Sequence, residues 1–235
     1  MLFEYQYIAR HRQRAIKELM DAQAKGLEEA LEMGVGKRST LVLSGHIGNW
    51  EMAISYFCGV LDFRATAVFK PMHNPLVEKH LSELRAIGNW NAISTKKLDG
   101  REFIRAIRNK DAIVMLADQD ARSSGIFMPF FGAPASTSAG PARLAFKMQL
   151  PIIYVTCLRG ENGKYKTRFE TFRPLDKYAS EKEEAVRELT AEYIEKMEES
   201  IMKWLLRGIT VLTALGIAGA AVAYIMLTGS LPMAD

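Results

Sequence analysis

Histidine and cysteine are scarce in this chain: four of one and two of the other in 235 residues. A helical zinc motif needs two histidines four apart with Glu between them. His11, His46, His73 and His80 have no spacing that closes such a site, so no metal is expected. Cys58 and Cys157 both sit in apolar runs, which reads as buried free thiols in a reducing compartment. No basic stretch interleaved with aromatics is present, and a net charge of +4 is too mild to argue for nucleic acid. That charge suits an anionic lipid head group, an acidic carrier protein or an anionic bilayer face. The N-terminus does not read as a signal peptide. With 49% hydrophobic and 25% charged residues, the chain can bury one substantial core and little of a second.

What is there centres on Ser44-Gly45-His46-Ile47-Gly48-Asn49-Trp50-Glu51. Before it, Ser39–Ser44 is a β-branched and aliphatic run suited to a buried strand. After it, 51–60 is apolar at helical spacing, with Asn49 placed to cap the helix. The imidazole therefore sits on a tight strand-to-helix turn, with Gly45 and Gly48 letting the backbone bend. Glu51 falls in the first helical turn, where the dipole favours a carboxylate. His46 and Glu51 make a base and its orienter: the Glu holds one ring nitrogen protonated so that the other can take a proton from an alcohol. The plainer alternative is a hydrogen-bonded turn histidine. No Ser or Cys in the motif has to act as a nucleophile, so the pair suits direct acyl transfer.

The turn GHIGNWE resembles the His-x4-Glu signature of bacterial lipid A biosynthesis acyltransferases, the late lauroyl and myristoyl transferases. Two further blocks match in order: residues 69–76 (FKPMHNPL), and Asp118-Gln119 with residues 125–132 (GIFMPFFG) and 140–145 (GPARLA). The resemblance covers about 22–200. It implies a glycerolipid-acyltransferase-like fold, and transfer of a fatty acyl chain from an acyl carrier protein thioester to a hydroxyl of a lipid A precursor. His46 would be the general base, Glu51 its orienter, and backbone N–H groups at Gly45 and Gly48 oxyanion donors. Lys70, Asn74, Asp118, Gln119 and Arg143 would bind substrate, and Phe127, Phe130 and Phe131 would line the acyl slot. No cofactor is implied beyond the carrier's phosphopantetheine, which arrives as co-substrate. The implied setting is the cytoplasmic face of a bacterial inner membrane. Other acceptors (an aminolipid, a glycolipid, lysophosphatidate) and an inactive membrane-bound remnant stay open. The family usually has Arg where Lys70 stands, and Lys lacks the planar bidentate fork. The usual N-terminal anchoring helix and basic, aromatic C-terminus are not found, so a chain truncated at both ends is expected.

The elements expected in order make one α/β domain: a central mixed sheet flanked by helices, plus a C-terminal apolar helix. Residues 1–36 form a helical segment, 37–200 the catalytic domain, and 202–235 a separate tail. Strands are expected at 64–70, 91–94, 112–117, 151–158 and 165–172. The last two are joined by a hairpin turn at 161–164. Helices are expected from Asn74-Pro75 to about Ile87, over 99–109, from Gly140 to about Gln149, and from a Ser180/Glu183 capping box onward. The stretch 123–139 reads as irregular, its aromatic residues either filling core or meeting an acyl chain, where each buried methylene is worth about 0.8 kcal/mol. Residues 205–227 are apolar and long enough to cross a bilayer, and Lys203 and Arg207 would keep the catalytic part cytoplasmic. Met202-Lys203-Trp204 also looks like a second start, so 202–235 reads alternatively as a fused foreign segment.

Overall fold

The computed structural model describes residues 10–21, 24–59, 62–69, 73–87, 90–94 and 100–228, together with Tyr7 and Pro71; for 207–228 it describes the backbone alone. It divides into two compact units, Met1–Glu198 and Glu199–Asp235. The first holds a six-stranded sheet in the order β3-β2-β4-β1-β7-β8. These strands are β1 (Thr40–Ser44), β2 (Ala65–Phe69), β3 (Trp90–Ser94), β4 (Ala112–Leu116), β7 (Ile152–Arg159) and β8 (Tyr165–Thr171). All neighbours run parallel except β7 and β8, which pair antiparallel through the expected hairpin. All five residues of β1 are buried, as a central parallel strand covered on both faces requires.

Helices cover the sheet. Along β1 successive side chains alternate faces. Val42 joins the core formed with α1 (Arg12–Leu19), α2 (Leu27–Glu32) and α3 (Trp50–Gly59), to which Ala15, Ile16, Ala30, Met52 and Ile54 contribute. Leu41, Leu43 and Ile113 are buried toward the other face. There Tyr154 of β7 lies 6.4 Å from Tyr193 of α7 (Lys182–Thr228). The helices α4 (Pro75–Ile87), α5 (Gly100–Arg108) and α6 (Gly140–Met148) complete the order. At the N-terminal edge of the sheet, Asp111 accepts a hydrogen bond from Thr66 at 2.7 Å, and its backbone carbonyl accepts one from Ser39.

Two expectations meet a different outcome. Residues 123–139 are not irregular. A 3-10 turn (Arg122–Ser124) leads into an antiparallel ribbon of β5 (Ile126–Phe130) and β6 (Ala133–Thr137). Pro129 and Pro134 face each other in it. Proline cannot donate to a ladder and masks the strand pattern, while Phe131 and Gly132 supply the positive φ (48° and 80°) that a tight two-residue turn needs. Second, the cap of α7 is the Glu181 carboxylate, which accepts the backbone N–H of Glu183 at 3.1 Å and of Glu184 at 2.7 Å. Ser180 stands one residue further out. The span expected at 205–227 lies mostly outside the residues whose side chains are described; among the described residues no helix is long and apolar enough to cross a membrane.

Candidate active site

The turn after β1 is held from two sides. Ser44 Oγ donates to the Val155 carbonyl at 2.7 Å, and the Asn49 N–H to the Cys157 carbonyl at 2.8 Å, so both ends of the turn are tied to β7. Gly48 is a required glycine: its φ is +69°, and a Cβ there would lie 2.3 Å from the Cys157 oxygen. Asn49 Oδ1 accepts the Met52 N–H at 3.0 Å and starts α3.

The neighbouring strand supplies the partner for the imidazole. Ser44 of β1 is in register with Leu116 of β4, so the residues two beyond each, His46 and Asp118, emerge side by side. Asp118 Oδ1 lies 2.7 Å from His46 Nδ1, and Asp118 Oδ2 accepts the His46 backbone N–H at 2.6 Å. One carboxylate thus holds both the ring and the backbone of the same residue. Gly45 lies against this carboxylate, where a Cβ would be 3.2 Å from Oδ2. The hydrogen bond from Asp118 raises the imidazole pKa above its ordinary value, partly opposed by burial and assisted by the carboxylate charge. Burial acts to raise the Asp118 pKa, but the two hydrogen bonds from His46 and its charge prevail and lower it. An ionised Asp118 fixes the proton on Nδ1 and leaves the Nε2 lone pair for a substrate proton. With 44% of its side chain exposed, His46 can be reached by a substrate.

Glu51 is not the carboxylate that meets His46. It is 9% exposed, and its carboxylate accepts no hydrogen bond among the described residues. Burial pushes its pKa up to about 7, a rise restrained by the charge of Arg85. A side chain one position into α3 points into the protein rather than back over the turn.

Asp118 and Gln119 line a cavity of about 520 Å³ whose wall includes Arg122, Phe127, Phe130 and Met197. Phe131 packs edge-on to Phe130, with ring centroids 4.8 Å apart, and its N–H donates to Glu198. Phe127 in the cavity wall is 67% exposed; Phe131, 48% exposed, is not one of the residues that line the cavity. Other expected binding residues are engaged elsewhere. Asn74 Oδ1 accepts the Leu76 N–H at 2.9 Å as the cap of α4. Arg143, exposed on α6, pairs with Glu183 at 3.0 Å. Lys70 lies outside the described residues. Among the described residues no group of His, Cys, Asp and Glu is arranged to hold a metal ion.

The family model described as bacterial lipid A biosynthesis acyltransferase matches residues 1–206. Among curated proteins, phosphatidylinositol mannoside acyltransferase of Mycobacterium tuberculosis (strain CDC 1551 / Oshkosh) is 25% identical over 137 residues, 56% of this chain and 41% of that protein. Its counterpart from strain H37Rv matches to the same extent. The chain spans about two fifths of the length of these curated relatives.

Proposed function

Because the chain belongs to the bacterial lipid A biosynthesis acyltransferase family, we propose that it moves a fatty acyl group from an acyl carrier protein thioester to a hydroxyl of a lipid A precursor. The observation that carries this reading is the 2.7 Å contact between His46 and Asp118 beside a cavity walled by Phe127 and Phe130. His46 Nε2 takes the hydroxyl proton as the hydroxyl oxygen bonds to the thioester carbonyl carbon. The C–S bond then breaks, the phosphopantetheine thiolate leaves, and the proton passes from the imidazolium to sulfur. Backbone N–H groups at Gly45 and Gly48 are the proposed donors to the developing oxyanion. Lys70, next along from β2, is the proposed contact for a phosphate on either substrate. The acyl chain occupies the cavity beside the ribbon, and the reaction takes place at the cytoplasmic face of a bacterial inner membrane.

A second reading keeps the chemistry and changes the acceptor. The matched mycobacterial proteins carry a glycolipid acceptor in their name, which favours a glycolipid over an aminolipid or lysophosphatidate. Incubating the protein with radiolabelled acyl carrier protein and membrane lipids tests both, since the mass of the acylated product identifies the acceptor. His46→Ala is expected to lower turnover about 100-fold or more. Equal product from both proteins removes His46 from the mechanism; no product from either leaves a non-catalytic remnant.

A further inference from the structure

The wall of the catalytic cavity carries three charged side chains: Asp118, Asp120 and Arg122. Two of them are committed. Asp118 holds His46, and Asp120 Oδ1 accepts the backbone N–H of Arg122 at 2.8 Å. The Arg122 guanidinium is exposed, and it enters no ion pair, hydrogen bond or ring contact among the described residues. Its backbone, by contrast, is fixed from both sides. Arg122 has φ 51°, a conformation that residues with a Cβ rarely adopt. Asp120 holds its N–H, and Ser136 of β6 donates its hydroxyl to its carbonyl at 2.6 Å. In return the Ala121 N–H donates to the Ser136 carbonyl at 3.0 Å. A strained backbone with both polar groups tied thus keeps one unpaired cation beside the apolar wall of Phe127, Phe130 and Met197.

We propose that Arg122 is a substrate-binding residue whose guanidinium takes a phosphate ester of one of the two substrates. A planar guanidinium fits a phosphate through two parallel N–H donors. The proposed reaction offers two such esters, one in the donor's phosphopantetheine arm and one in a phosphorylated acceptor. Both carboxylates in the wall repel a phosphate, yet each already accepts a hydrogen bond that offsets part of its charge. The uncompensated charge there is the cation's. Arg122 also fills the role expected of Arg143, which pairs with Glu183 instead. Holding the polar end of a substrate in this wall limits where its reacting group can lie relative to His46. The assignment rests on the acyl-transfer reading and adds to it a phosphate contact besides Lys70.

The test is steady-state acyl transfer by the full chain, wild type against Arg122→Gln, with each substrate offered with and without its phosphate. The donor is acyl carrier protein, acyl-phosphopantetheine or acyl-pantetheine; the acceptor is the lipid identified by product mass, before and after phosphatase treatment. Arg122→Gln is expected to raise KM about tenfold for one phosphorylated substrate at unchanged kcat, the size of one contact to a charged group. The penalty vanishes when that substrate is stripped of phosphate, and the substrate that shows it identifies the source. An unchanged KM for both substrates overturns the assignment, as does a penalty that survives phosphate removal. So does a penalty seen only with the intact carrier protein, whose acidic surface would then be the partner. Arg122→Gly removes the same cation while relieving the positive φ, so it reproduces the KM rise; failure to do so traces the effect to the ribbon's geometry and overturns the assignment. If wild type transfers no acyl group, the functional reading fails by itself, and calorimetry with phosphopantetheine and with a hexosamine phosphate decides the contact. Wild type binding one of them about tenfold more tightly than Arg122→Gln supports it, and equal binding overturns it.

Discussion

At Asp118, a single carboxylate spans two donors of one residue, and this fixes the sign of a pH effect. The hydrogen bond raises the His46 pKa, so the base is neutral only above a pH higher than that of a free imidazole. Activity should therefore fall as pH drops through that raised value. In Asp118→Asn the acid limb should shift to lower pH while the maximal rate falls about 100-fold or more, because the proton on Nδ1 is no longer fixed; a pH–rate profile of both proteins checks this. The sequence showed His46 plainly and its partner poorly. Glu51 stands five residues on and Asp118 seventy-two. Proximity along the chain favoured Glu51, while proximity in space depends on β4 lying next to β1. That adjacency crosses α3, β2, α4, β3 and α5, and no local pattern reports it. Asp118 was visible as an acid at the end of a buried strand and, through the resemblance, as a substrate contact, not as the partner of the base.

At the scale of elements, the strand-to-helix turn works because β7 is already beside it. A Cβ at Gly48 meets the Cys157 carbonyl, and the residue sits at positive φ. Gly48→Ala should cost about 1–3 kcal/mol from strain alone, more with the collision, and lower activity by displacing His46. A denaturant melt with an activity assay on the refolded protein checks both. β1, β4 and β7 were legible because each is a mostly apolar run that stops close to a Gly or Asp. The β5–β6 ribbon was not, since its two opposed prolines read as loop and its pairing is with itself alone. The aromatics that border the cavity were visible by composition, and only the ribbon explains why Phe127 and Phe130 reach one side of it.

For the molecule as a whole, the C-terminal edge of the sheet gathers the base, its carboxylate and the cavity, the place where parallel α/β sheets expose loop ends to ligands. Glu51 ties the stability of the fold to pH. Its pKa is raised from 4.5 to about 7 in the fold, so folding favours the protonated form. That contribution is complete below pH 4.5 and is lost as pH rises through 7; at pH 8 the ionised group costs up to about 3 kcal/mol. Glu51→Gln should therefore melt several degrees above wild type at pH 8 and near it at pH 4, a comparison open to calorimetry.

The double grip of Asp118 has one more consequence. An imidazole bound only through its ring could swing aside and leave the rest of the turn in place. Here the amide of the same residue is clasped by the other oxygen, so the backbone that carries the ring is held along with the ring. With ring and backbone both held, control over when the base acts falls to its own protonation and to the arrival of substrate.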